Sequence, residues 1–201
     1  SYVTNFKKNG YFLEIGSCHY KNHNNSYTLE KNLNWSGIMN EIEPYFLESY
    51  KTHRKNSNYV IEDAIKVNFA EVLKKYKFPQ NIDYLQLDLD ANNRSTLDVL
   101  ENFNIDVFDN YKFATVTFEH DIYTGNHFDT RVISRQIFKD RGYILVFPDV
   151  WLDFMGQKAT FEDWYVHPDL INIDYINKIK VDNSMNWNNI ILHLKNIQST
   201  R

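Results

Sequence analysis

The chain is poor in the residues that most directly announce a chemistry. Cysteine occurs once among 201 residues, as Cys18. One cysteine excludes an internal disulfide framework and a cysteine-rich zinc site, and it fits a reducing, cytoplasmic compartment. The six glycines never fall in a Gly-x-Gly-x-x-Gly pattern, which argues against a dinucleotide-using oxidoreductase. Long apolar runs are missing too: Tyr143 to Phe147 is far too short to cross a bilayer, so no membrane partner is expected. No signal-peptide pattern opens the chain. Positive charge is not in excess. Lys and Arg number 22 against 26 Asp and Glu, a formal net charge of -4, so nucleic acid is not the expected main partner.

What is present is a core. Apolar residues make up 43% of the chain and aromatics 16%, enough to exclude disorder. The length suits a single domain over 1–201, with a core at about 10–168 and a helical extension at about 169–201. The informative stretch is Tyr11-Phe12-Leu13-Glu14-Ile15-Gly16-Ser17. A short apolar run ends in an acid and a glycine, which predicts a buried strand breaking into a loop where a ligand can approach the backbone.

From there strand and helix alternate. Ser26 is a candidate N-cap for a helix through Leu29 and Leu33. Asn34-Trp35-Ser36-Gly37 reads as a turn, Ile38 to Ile42 as a second strand, and Pro44 holds Glu43 extended at its tip. Tyr59 to Ile61 is a third strand, ending near Asp63 and Ala64. Asn68 and Glu71 form a capping box ahead of the helical stripe Phe69, Val72, Leu73 and Tyr76. Ile82 to Leu87 is a fourth strand leading into Asp88-Leu89-Asp90. Phe113 to Phe118 is a fifth, ending in Glu119-His120-Asp121. A helix stopped by Gly142 follows. Tyr143 to Val150 and about Phe161 to Val166 then leave no room for a helix between them and predict an antiparallel hairpin. The expected fold class is therefore α/β, a doubly wound and mainly parallel seven-stranded sheet with a C-terminal hairpin. Five acids, Glu14, Glu43, Asp63, Asp88 and Glu119, fall at successive strand ends, the edge where such sheets bind ligands.

These motifs, in this order, resemble class I S-adenosylmethionine-dependent methyltransferases, and within them the FkbM-like family. The runs Glu14-Ile15-Gly16-Ser17, Trp35-Ser36-Gly37-Ile38, Ile42-Glu43-Pro44, Asp63-Ala64, Ile82 to Asp88, Glu119-His120 and Phe161 to Pro168 carry the resemblance over about Tyr11 to Pro168. Two departures stand out: Cys18 to Asn25 lacks the second glycine common in the family, and Asp88-Leu89-Asp90-Ala91 replaces Asp-x-Glu-Gly. The resemblance implies the Rossmann-like methyltransferase fold and S-adenosylmethionine as cofactor. It implies an O-methyltransferase acting on a sugar hydroxyl of a glycan or nucleotide sugar. A small metabolite, a lipid or an RNA end is the alternative acceptor, and a non-catalytic Rossmann-like domain the alternative class.

The cofactor brings a sulfonium, an ammonium and a ribose diol. Glu14, Gly16 and Ser17 are placed at its methionine end, Glu43 at the ribose, Asp63 and Ala64 at the adenine, and Asp88 between cofactor and acceptor. A sugar hydroxyl must lose a proton, so Asp88 and His120 are the catalytic candidates. Asp90, Glu119 and His120 would suit Mg²⁺ or Mn²⁺ if a metal assists. Arg131 and Arg135, one helical turn apart, either grip an anionic substrate or form a solvated face. The aromatics Trp151, Phe154, Trp164 and Tyr165 either stack on a sugar or pack.

Overall fold

A computed structural model of the protein describes residues 2–89, 94–125 and 127–199. Seven strands form one sheet in the order β3-β2-β1-β4-β5-β7-β6. They are β1 (Tyr11–Ile15), β2 (Ser36–Glu41), β3 (Ser57–Ile61), β4 (Asn81–Leu87), β5 (Lys112–Glu119), β6 (Ile144–Phe154) and β7 (Gln157–Val166). The five from β3 to β5 pair in parallel. Strand β7 is antiparallel to both β5 and β6. The expected doubly wound sheet with a terminal hairpin is the sheet observed.

Helices cover both faces because each strand alternates its side chains between two apolar layers. On one face Leu13, Ile15, Leu85 and Leu87 pack under α3 (Phe69–Lys75), α4 (Ser95–Asp106) and α5 (Phe128–Asp140). On the other, Phe12, Trp35 and Met39 pack under α1 (Tyr27–Leu33) and α2 (Leu47–His53). Further along that face, Phe147 and Val166 meet α6 (Ile173–Ile179) and α7 (Trp187–Ser199).

Several boundaries move from their expected places. Ser36 and Gly37 are strand rather than turn, because Phe12 of β1 lies over Gly37; a Cβ there would sit 2.0 Å from the Phe12 ring. Strand β2 ends at Glu41, one residue before Ile42. The hairpin strands run further than their apolar cores, to Phe154 and from Gln157. Helix α6 went unseen in the sequence, although Asn172 caps it by accepting from the Asp174 and Tyr175 N–H groups. Ser26 precedes α1 but does not cap it; Asn24 Oδ1 accepts from Tyr27 N–H instead, at 2.8 Å. Asn68 caps α3 as expected, accepting from Glu71 N–H at 3.0 Å.

Candidate functional site

The carboxyl ends of β1, β2, β4 and β5 carry the candidate residues. Gly16 has φ +84°, and a Cβ added to it would lie 1.7 Å from the Asp88 carbonyl oxygen. Only glycine allows the turn after β1 to press on the end of β4 in this way. The loop beyond it is tied to β2. The N–H groups of Gly16 and Ser17 both donate to Asn40 O, at 3.1 and 3.0 Å. The Ser17 hydroxyl donates to the same oxygen at 3.0 Å and lies 3.1 Å from Tyr50 Oη. Cys18 N–H donates to Glu41 Oε2 at 2.7 Å. Ser17 thus serves the loop with both its side chain and its backbone, its carbonyl accepting from Asn24 Nδ2 at 2.8 Å.

Glu14 is fully buried beneath this loop. Its carboxylate accepts from Asn25 N–H at 2.6 Å, Ser26 N–H at 3.2 Å, the Ser26 hydroxyl at 2.6 Å and Asn24 Nδ2 at 3.0 Å. Burial pushes its pKa up to about 7, against the pull of Ser26, Arg54 and the loop N–H groups. Behind it the buried Arg54 reaches Ser26 Oγ at 2.7 Å, Asn24 Oδ1 at 2.8 Å and Glu30 Oε2 at 2.8 Å. This corrects the placement of Glu14 at the ammonium. Side-chain alternation turns it inward on the α1 face, and four protein donors fill its acceptor sites.

At the tip of β2 two acids divide the work. Glu41, which the sequence reading passed over, bends back and accepts from its own Ile42 and Glu43 N–H groups at 2.9 and 3.0 Å, besides Cys18. Its cue was the alternation Met39, Glu41 on the α1 side. Glu43 is extended as Pro44 requires, with φ -84° and ψ 108°, and exposed. Asp63 caps the turn after β3 through Ile65 N–H at 3.1 Å and pairs with Lys66 at 3.2 Å. The Ile65 N–H first, then Lys66, lowers its pKa. Ala64 is buried beside it, while Ile42 and Ile65 stand exposed at the adjacent ends of β2 and β3. An exposed carboxylate and exposed apolar side chains at adjacent strand ends are the groups that a nucleoside, with its diol and flat base, can use.

Strands β4 and β5 are neighbours, pairing Leu87 with Phe118. Asp88 therefore lies beside Glu119, and Glu162 of β7 pairs with Glu119 on its other side. Burial and crowding raise the pKa of Glu119 and Glu162. Burial first, then Asp88 and Asp121, pushes the Glu119 carboxyl far above its usual range. Burial pushes Glu162 up to about 8, with Asp88, Asp163 and Asp121 adding repulsion against the Trp164 hydrogen bond. Gln86 Nε2 donates to Asp88 Oδ2 at 3.3 Å.

His120 goes elsewhere. Its ring is fully buried, with Nε2 3.6 Å from Asp163 Oδ1 and 3.8 Å from Asp149 Oδ1. Neither ring nitrogen has a hydrogen-bond partner among the described residues. Arg135 grips Asp163 at 2.7 and 2.8 Å and Asp149 at 2.9 Å. Arg131 reaches Asp149 at 3.0 Å. Both arginines therefore hold strand acids rather than form a solvated face. Burial opposes ionisation of Asp163, but Arg135 and His120 outweigh it and lower the pKa. The expected metal trio is not assembled. Asp90 lies outside the described residues, and Glu119 and His120, being successive, project to different surroundings. Among the described residues, the group of acids and histidine at ligand distance is His120, Asp149 and Asp163. Two guanidinium groups already match those carboxylates, a donor set ill suited to Mg²⁺ or Mn²⁺.

No family model and no curated protein matches the chain. Solved structures do. One is TrmK of M. capricolum in complex with S-adenosyl-homocysteine, at 14% identity and TM-score 0.53, covering 98% of this chain and 81% of that one. Precorrin-6y C5,15-methyltransferase from Geobacter metallireducens matches at 15% identity and TM-score 0.51, over 82% and 84% of the two chains. The fibrillarin pre-rRNA processing protein of Methanococcus jannaschii matches at 12% and 0.50, over 81% and 68%. The chain has the Rossmann-like fold of class I S-adenosylmethionine-dependent methyltransferases. No helix among the described residues is long and apolar enough to cross a membrane.

Proposed function

We propose that this protein is an S-adenosylmethionine-dependent methyltransferase. The observation that carries the reading is the contact of Gly16 with the Asp88 carbonyl. It sets the turn after β1 against the end of β4 at the carboxyl edge of a sheet of this order, with Glu43 exposed at the tip of β2. The structural likeness to a protein solved with S-adenosyl-homocysteine supports it. Glu43 accepts the ribose hydroxyls, Asp63 and Ala64 meet the adenine between Ile42 and Ile65, and the turn at Gly16 and Ser17 lies against the methionine moiety. Glu14 positions that backbone through Asn25 and Ser26 rather than touching the ligand. The bound cofactor supplies an electrophilic methyl group; the chain supplies placement, the larger part of such catalysis.

The acceptor we propose is a sugar hydroxyl of a glycan or nucleotide sugar, as the FkbM-like resemblance suggests. An acid-lined edge and a net charge of -4 disfavour an RNA phosphate backbone. Asp88, at that edge, is the group assigned to take the hydroxyl proton. His120 is instead buried, with Nε2 3.6 and 3.8 Å from Asp163 and Asp149, acids that Arg135 and Arg131 hold.

Calorimetry with S-adenosylhomocysteine tests the cofactor. It should bind and raise Tm. Glu43→Ala should weaken it by about 1–3 kcal/mol, the cost of unpairing hydrogen bonds to a charged group. Unchanged affinity in a folded Glu43→Ala variant removes Glu43 from the ribose. A mass-spectrometric screen of sugars for the gain of one CH₂ unit tests the acceptor, and transfer only to RNA or a lipid replaces that part of the reading.

A further inference from the structure

A cavity lies apart from the proposed cofactor edge. It is a half-open cavity of about 350 Å³ on the α1 side of the sheet. Its floor is Tyr84, Gln86, Thr117 and Glu162, from β4, β5 and β7, and its roof is Leu29 of α1 and Leu194 of α7. None of Gly16, Glu43, Asp63 or Asp88 lines it. A dry engineered cavity of about 150 Å³ already holds benzene, so this one has room for a two-ring molecule.

The floor is polar, and most of its groups bond to one another. Tyr84 Oη and Thr117 Oγ1 lie 2.8 Å apart and both bond to Gln86 Oε1. Trp164 Nε1 donates to Glu162 Oε1 at 2.6 Å. No Lys, Arg or His is among the lining residues. Glu162 is the one carboxyl, and burial holds its pKa up at about 8, so it carries its proton near neutrality. Nothing there repays the desolvation of a charged ligand. Apolar walls with a few convergent polar groups are the usual make-up of a small-molecule site.

We propose that this cavity binds a small, uncharged, largely apolar molecule of about two fused rings with one hydrogen-bonding head directed at the Gln86–Thr117–Glu162 floor. The inference stands independently of methyl transfer, because the cavity shares no lining residue with the proposed cofactor contacts. Its floor still touches that edge through the Gln86–Asp88 bond of 3.3 Å.

Indole is the probe, titrated calorimetrically into the whole chain. Saturable one-site binding with a rise in Tm is expected. Thr28 is exposed and Ile191 half-buried, and both line the cavity. Thr28→Trp and Ile191→Trp should each weaken indole by about tenfold or more, because a larger side chain takes the volume. S-adenosylhomocysteine affinity, measured alongside, should not change in either. Indoxyl sulfate, with the same rings and a charge, should bind wild type about tenfold more weakly or worse. No saturable indole binding, equal binding of indoxyl sulfate, or wild-type binding in whichever blocking variant folds would each overturn the proposal. Because the sulfate comparison uses wild type alone, misfolding of both variants leaves a decisive arm.

Discussion

Gly16 is the position at which a single methyl group should be felt most. Its φ of +84° disfavours any side chain, and the Asp88 carbonyl occupies the space besides. Gly125 has a similar φ of +88° with nothing within 4 Å of a Cβ. Gly16→Ala should therefore cost about 2–4 kcal/mol and Gly125→Ala about 1 kcal/mol, read from urea midpoints at constant slope. Equal costs would mean that backbone strain alone, and not contact with β4, requires the glycine. Arg54 is the other exacting position. It and Glu30 are both buried and joined at 2.8 Å. Arg54→Met should destabilise by about 3–5 kcal/mol because buried Glu30 loses its counter-charge and keeps only the Asn56 N–H and the Ser57 hydroxyl as donors. Adding Glu30→Leu should recover part of that, and a double variant no better than the single would show that Arg54 acts through its other bonds, to Ser26 and Asn24.

Helix α7 shows how an element owes its place to one face. Ile190 and Leu194 are buried against the β6–β7 layer, whereas Leu192 is 56% exposed. Ile190→Ala should cost about 2–4 kcal/mol, the transfer and cavity terms of a buried aliphatic. Leu192→Ala should stay within about 0.5 kcal/mol. Thermal unfolding of both variants checks the pair, and a large loss from Leu192→Ala would mean that α7 packs by another face. The spacing of Trp187, Ile190, Ile191, Leu194 and Ile197 predicted this helix. Helix α6 escaped because it is a single cap, Asn172, followed by seven residues, too short a window for a periodic signal.

For the whole molecule the raised acids set the response to pH. Burial lifts Glu14 to about 7 and Glu162 to about 8 from an ordinary 4.5. The folded state then binds more protons than the unfolded chain between those values, so stability falls as pH rises through that window. Asp163 works the other way: its lowered pKa contributes stability above its unfolded value of 3.8, which is lost as pH falls. Tm should therefore peak in mild acid and decline toward about pH 8, and Glu162→Gln should flatten the alkaline decline. A Tm that is level or rising from mild acid to pH 8, measured at fixed ionic strength, would contradict this balance.

The order of strands and helices was legible in the sequence because it rests on local signals. Apolar runs, caps such as Asn68 and breakers such as Pro44 and Gly142 act within a few residues of themselves. They sufficed for the α/β class, the terminal hairpin and the acids at the strand ends. Which way those acids point depends on register and on neighbours far along the chain. Only the tertiary structure turned Glu14 inward onto Asn25 and Ser26, bent Glu41 back on Cys18, and separated Glu119 from His120. It also brought Asp163 of β7 to Arg135 of α5 and formed the half-open cavity between α1 and α7. A side chain's type is written in the sequence, but its partners are set by packing, since burial makes every carboxylate find donors or keep its proton.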